Sequence, residues 1–173
     1  MGSTAERYAV ECFDRYDADA VTINPYLGYD AMEPFLAYSE KGVFILCRTS
    51  NPGGADLQNL KLDNGQSLYE HVASEAANVW NANNNIALVT GATQPQELAR
   101  IREITGDMTF LLPGIGAQGG DVAASLAAGA GGGLIVSSSR AVLYASDGND
   151  FADAARQVAE STRTEINEHR TVV

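Results

Sequence analysis

Basic residues are scarce in this chain. Lysine and arginine together number 11 against 22 acidic residues, a formal charge of −11. A polyanion is held by clustered cations, and these are scattered, so the composition argues against a nucleic-acid partner and any phosphate must be gripped locally. The only two cysteines, Cys12 and Cys47, stand far apart without C-x-x-C spacing, which argues against a zinc site or redox pair and fits a reducing cytoplasm. With just two histidines, His71 and His169, a His-based metal centre or a Ser-His-Asp triad has little to draw on. Neither metal nor cofactor is expected. No apolar run approaches the roughly 20 residues of a membrane helix, and Met1-Gly2-Ser3-Thr4 lacks the basic and apolar regions of a signal peptide, so no membrane partner is expected either.

What is present is 45% hydrophobic residues and 17 glycines in 173 residues, the balance of one globular domain over residues 1–173. Apolar residues Ala9, Cys12, Phe13 and Tyr16 predict a helix over 5–16 with Thr4 as N-cap, and a strand over 19–23 closes at Asn24-Pro25. Met32, Phe35 and Leu36 predict a helix over 29–40, stopped by Lys41-Gly42. Val43-Phe44-Ile45-Leu46-Cys47 reads as a strand buried on both faces. Residues 56–66 give no regular pattern. Ser67 with Glu70 forms a capping box for a helix over 67–80, whose stripe is Leu68, Val72, Ala76 and Val79. Strands are predicted over 86–90, 108–112 and 133–137, separated by helices over 94–104 and 121–129. A last helix, 150–167, presents Phe151, Ala155, Val158, Thr162 and Ile166 inward.

Five strands, each followed by a helix, predict an α/β fold with a parallel sheet and helices outside it. A doubly wound open sheet and a TIM-type (β/α) barrel both satisfy this pattern. The run from Phe110 to Gly120 breaks from apolar strand into a Gly-rich turn and a helix start, which leaves backbone N–H groups free to cradle a phosphate. Arg140, after the next strand, adds a fork-shaped cation. The plainer alternative is that these glycines only make a tight turn. Phosphate loops after the last two strands are where a barrel puts them, so position favours the barrel, here about its last five β/α units.

Pro113-Gly114-Ile115-Gly116-Ala117-Gln118-Gly119-Gly120-Asp121, with Ser139-Arg140 ahead of Tyr144, resembles the closing segment of the orotidine 5′-phosphate decarboxylase family. Arg48-Thr49-Ser50-Asn51-Pro52-Gly53 resembles its pyrimidine loop, and the stretch from Asp19 to Gly28 its fourth strand, in the form of the long-chain bacterial subgroup. The resemblance implies a small nucleotide substrate, decarboxylation of orotidylate in pyrimidine biosynthesis, and a homodimer. It implies that Gln118 and Arg140 hold the phosphate by side chain, with Gly119 or Ser139 assisting through backbone N–H groups and Gly116 in the same loop. Ser50 is implied to hydrogen-bond the pyrimidine, Pro113 to pack on its ring, and Thr4 to reach a ribose hydroxyl across the dimer interface. Asn24 either lines the site or ends its strand; Ser50 as a turn residue and Thr4 as a plain cap are the structural alternatives.

The family's chemistry rests on an Asp-x-Lys-x-x-Asp motif, and this sequence contains none. Decarboxylation leaves carbanion character on a ring carbon, which a Lys-Asp array stabilises and protonates. The match begins just beyond where that motif falls, so the expectation is a partial barrel whose catalytic residues cannot be named and whose two sheet edges need covering. Three readings stay open: a decarboxylase or fragment of one, a non-catalytic nucleotide- or sugar-phosphate-binding protein, and another phosphate-handling barrel lyase.

Overall fold

The computed structural model describes residues 2–91, 94–114 and 121–170. Five strands form a sheet in the order of the sequence, β1-β2-β3-β4-β5, the order of the barrel alternative and not of a doubly wound sheet. The chain divides into two compact units, Met1–Val89 and Thr90–Val173.

In the first unit, helix α1 (Gly2–Val10) widens into a π turn over Glu11–Arg15. Thr4 lies inside α1 and is exposed, so it is not the N-cap expected of it. Strand β1 (Ala20–Ile23) pairs parallel with β2 (Gly42–Arg48), Ala20 opposite Gly42 and Ile23 opposite Ile45. Along β2 burial alternates: Val43, Ile45 and Cys47 are buried while Phe44 and Leu46 are half-exposed, so one face of this strand is less covered than its apolar run predicts. Strand β3 (Ile86–Thr90) is buried throughout.

Helix α2 (Tyr29–Leu36) stops four residues before its predicted end. The cause is a competing set of donors from the Asn-rich turn before β3. Asn83 Nδ2 donates to the Leu36 carbonyl at 2.9 Å, and Asn85 Nδ2 faces the carbonyls of Leu36, Tyr38 and Lys41 at 3.1 to 3.2 Å. Carbonyls met by side-chain amides need no further turn of helix. Phe13 packs edge-on against Phe35, ring centroids 6.5 Å apart, and against Tyr38 at 4.9 Å, closing α1 on α2.

Past a short helix α3 (Ala55–Gln58), in a stretch where the sequence showed no pattern, α4 (Leu68–Glu75) opens with the predicted capping box. The Ser67 N–H donates to Glu70 Oε2 at 2.6 Å. The helix then widens into a π turn over Ala76–Trp80. Of the predicted stripe Ala76 is buried and Leu68 and Val72 are half-buried, with Tyr69 and Ala73 buried beside them, while Val79 is 61% exposed because the extra residue in a π turn rotates the side chains within it away from the core.

The second unit contains α5 (Pro95–Thr105), β4 (Phe110–Pro113), α6 (Val122–Ala128), β5 (Leu134–Ser137), a short α7 (Arg140–Leu143) that the sequence pattern does not predict, and α8 (Phe151–His169). Strands β4 and β5 pair parallel, Phe110 opposite Leu134 and Pro113 opposite Ser137. Val122 and Leu126 form a small core with Leu134, Val136 and Ile166. Asp121 caps α6, its Oδ1 accepting the Ala124 N–H at 3.0 Å. Along α8 the expected inner face is only half-covered, and Phe151, 62% exposed, lies outside it.

Arg102 ties this unit together. Its guanidinium donates to the carbonyls of Gly106, Met108 and Gly129 at 2.7, 2.6 and 3.0 Å and lies 3.8 Å over the Phe110 ring. Burial lowers its pKa and Asp107 opposes that shift; an arginine nonetheless keeps its charge. A Cβ on Gly132 would collide with this guanidinium and with the Asp107 carbonyl, which accounts for a glycine there.

Two substitutions test these ties. Arg102→Met strands three carbonyls at once and is expected to cost about 2–4 kcal/mol in urea unfolding. Asn85→Asp turns a donor facing three carbonyls into an acceptor, and a loss of about 2–4 kcal/mol is expected in the same assay.

Candidate functional site

In α/β sheets whose strands are each followed by a helix, chemistry gathers at the C-terminal ends of the strands. Of the residues singled out in the sequence, Asn24, Ser50, Pro113, Ser139 and Arg140 fall there. Asn24 follows β1, Ser50 lies just past β2, Pro113 closes β4, and Ser139-Arg140 follow β5.

Asn24 ends its strand, one of the two alternatives its position offers. Its Oδ1 accepts the Tyr26 N–H at 3.0 Å and caps the single 3₁₀ turn Pro25–Leu27, which ends the strand. The same residue lines two cavities of the first unit. One, of about 390 Å³, brings Asn24 together with Thr4, Tyr8, Ile23, Leu27 and Phe35. The other, of about 600 Å³, lies between the loops after β1 and β2 and helix α4, with Asn24, Thr49, Gln58, Tyr69, His71 and Trp80 among its walls. Mostly apolar walls with a few polar groups are the usual make-up of a small-molecule pocket.

The loop after β2 is built on Gln58. Its Oε1 accepts the Thr49 N–H at 3.0 Å and Arg48 Nη1 at 3.0 Å, and its Nε2 donates to Thr49 Oγ1 at 2.9 Å. Arg48 is buried and also donates to the Thr49 carbonyl at 2.8 Å. Ser50, half-buried, follows directly on this cluster. Sequence reasoning singles out Ser50 and not Gln58, because a glutamine eight residues downstream belongs to no spacing rule. The signal available was Gly53-Gly54 between them, a pair that lets a chain double back.

In the second unit, Pro113 is half-buried beside Ser137, and Gly114 takes φ +96, a left-handed conformation suited to glycine. Gly116, Gln118 and Gly119 lie outside the described residues. The Ser139 carbonyl accepts the N–H groups of Val142 and Leu143 at 3.1 and 2.8 Å, starting α7, and Arg140 is exposed with no ion-pair partner among the described residues. It is a cation held at a strand end and open to solvent. No three of His, Cys, Asp and Glu converge on a point among the described residues.

Cys47 borders the larger cavity as a buried thiol whose Sγ donates to the Tyr69 carbonyl at 3.3 Å. Burial pushes its pKa from 9.0 up to about 12, against a smaller downward pull from Arg48. Because the folded state keeps the proton more tightly, the associated stability is whole below 9.0 and declines as pH climbs towards 12. At about pH 8, N-ethylmaleimide is therefore expected to modify Cys12 and leave Cys47 intact, with both reacting in urea, as peptide mass spectrometry will read out.

Comparison with known proteins places these features. Residues 1–156 match the orotidine 5′-phosphate decarboxylase / HUMPS family. The orotidine 5′-phosphate decarboxylase of Azoarcus sp. (strain BH72) is 59% identical over 173 residues, an alignment covering 98% of this chain and 64% of that protein. That of Cellvibrio japonicus is 61% identical over 170 residues, covering 96% of this chain and 62% of the relative. The chain thus spans less than two thirds of the length of these relatives. Among solved structures, Leishmania donovani OMP decarboxylase superposes with a TM-score of 0.79 at 40% identity, over 93% of this chain and 62% of that one. The five-stranded α/β fold is accordingly an incomplete TIM-type barrel, and the chain belongs to the orotidine 5′-phosphate decarboxylase / HUMPS family.

Proposed function

We propose that this chain supplies the substrate-gripping part of an orotidine 5′-phosphate decarboxylase, which converts orotidylate to uridylate and CO₂ in pyrimidine biosynthesis. The observation that carries this reading is the placement of Asn24, Ser50, Pro113 and Ser139-Arg140, each at or just past the C-terminal end of its own strand, in a chain of this family. Arg140 grips the phosphate as a bidentate cation together with Gln118, and Gly116, Gly119 and Ser139 contribute backbone N–H groups. Ser50 reads the pyrimidine through a hydroxyl that both donates and accepts, and Pro113 packs on its ring. Thr4 serves a second copy of the chain in a cytoplasmic homodimer. No metal or cofactor enters this scheme.

The chemical step breaks the bond between the ring carbon and the carboxylate, leaves the electron pair on that carbon and then protonates it. Stabilising the pair needs a nearby cation, and protonation needs an acid. An Asp-x-Lys-x-x-Asp array provides both in the family, and these 173 residues hold no such array. What they contribute is binding and orientation.

Calorimetry tests the grip. Uridylate is expected to bind the chain, and Arg140→Ala to weaken that binding about 10- to 100-fold, the range for a lost charge-assisted pair. Absence of uridylate binding by the unmodified chain would overturn the proposal.

A further inference from the structure

We propose that Gln58 is a positioning residue for base recognition, fixing the backbone from which Ser50 reads the pyrimidine. The inference rests on the reading of Ser50 given above and extends it to a residue with no part in that scheme.

The geometry is that of a three-way clamp. Gln58, the last residue of α3, takes the Thr49 N–H and the Arg48 guanidinium on Oε1 at 3.0 Å each and returns Nε2 to Thr49 Oγ1 at 2.9 Å. One side chain thereby fixes the main chain and the side chain of the residue next to Ser50. Glutamine suits this place because it carries acceptor and donor on one planar group. Arg48 closes the ring by donating to the Thr49 carbonyl at 2.8 Å, so both polar groups of the Thr49 backbone are held. The loop then folds back over the clamp. The Gly54 N–H donates to the Asn51 carbonyl at 3.0 Å, and a Cβ on Gly54 would stand 2.8 Å from Thr49 Oγ1 and 3.0 Å from both Arg48 Nη1 and Gln58 Oε1. Only a glycine lets the loop come down this far.

Beyond the clamp, Asn51, Pro52 and Gly53 are exposed. Contacts that orient a polar group toward a ligand act on selectivity more than on general affinity, since a misplaced hydroxyl leaves the ligand's buried polar atoms unpaired. Loss of the clamp therefore bears on the base and spares the phosphate.

The test compares uridylate with ribose 5-phosphate, which lacks the base, by calorimetry on the full chain and on Gln58→Leu and Gln58→Glu. Leucine fills the space without hydrogen bonds; glutamate keeps acceptors for the Thr49 N–H and Arg48. Gln58→Leu is expected to weaken uridylate about tenfold while ribose 5-phosphate changes less than about twofold, and Gln58→Glu to recover most of the loss. Amide exchange over residues 48–54 is expected to quicken in Gln58→Leu and not in Gln58→Glu. If the two ligands weaken together, or neither weakens, Gln58 is only a structural residue and the proposal falls. An unmodified chain that does not prefer uridylate overturns the Ser50 reading itself, and the clamp's role with it.

Discussion

A buried carbonyl left without a donor costs about 1–3 kcal/mol, and every helix end and strand end creates several of them. This chain meets that constraint with a few polar side chains reaching back from distant points in sequence. Asn83 and Asn85 serve the carbonyls after α2 across more than forty residues, and Arg102 serves the loop after α5 and the end of α6. Gln58 and Asn24 work on the other polar group of the backbone, accepting the N–H groups of Thr49 and Tyr26 in the loops after β2 and β1. These ties determine where elements stop, and therefore where each loop starts and what its side chains face. The apolar core supplies the bulk of the burial, but the loops after β1 and β2 take their shape from polar contacts.

That division explains which parts of the structure could be read from sequence. Strand β3 was predicted to the residue because a continuous apolar run between two polar turns has one reading, and the capping box at Ser67 is local chemistry with fixed spacing. Helix α2 was overrun because its C-terminus is decided by asparagines far along the chain, which no local periodicity contains. The stripe on α4 fails at Val79 for a different reason: a π turn breaks the 3.6-residue spacing on which any stripe is drawn. Thr4 failed as a cap because a hydroxyl near a helix start is equally at home in its first turn.

The candidate site was legible to a different degree in its two halves. Ser50 and Arg140 stand out as chemistry-bearing types after apolar strands, and the fold puts both at strand ends. Asn24 showed that a residue can end a strand and line a cavity at once, since the cap uses one atom of its amide and leaves the other. The support beneath Ser50 was invisible, because a positioning residue is recognised by what it touches and sequence carries no contacts.

The strand order has a consequence for how the molecule is made. Each strand pairs with its predecessor in the sequence, and paired residues such as Ala20 and Gly42, or Phe110 and Leu134, lie only about two dozen positions apart. Closing loops of that size costs little entropy, and folding rates rise as contacts become more local. The sheet can therefore grow during synthesis, one strand and helix at a time, each new strand docking on the edge exposed by the one before. The longest wait falls between β2 and β3, where the Val43 N–H meets the Asn85 carbonyl only after α3 and α4 have been made, so the edge of β2 stays open longest.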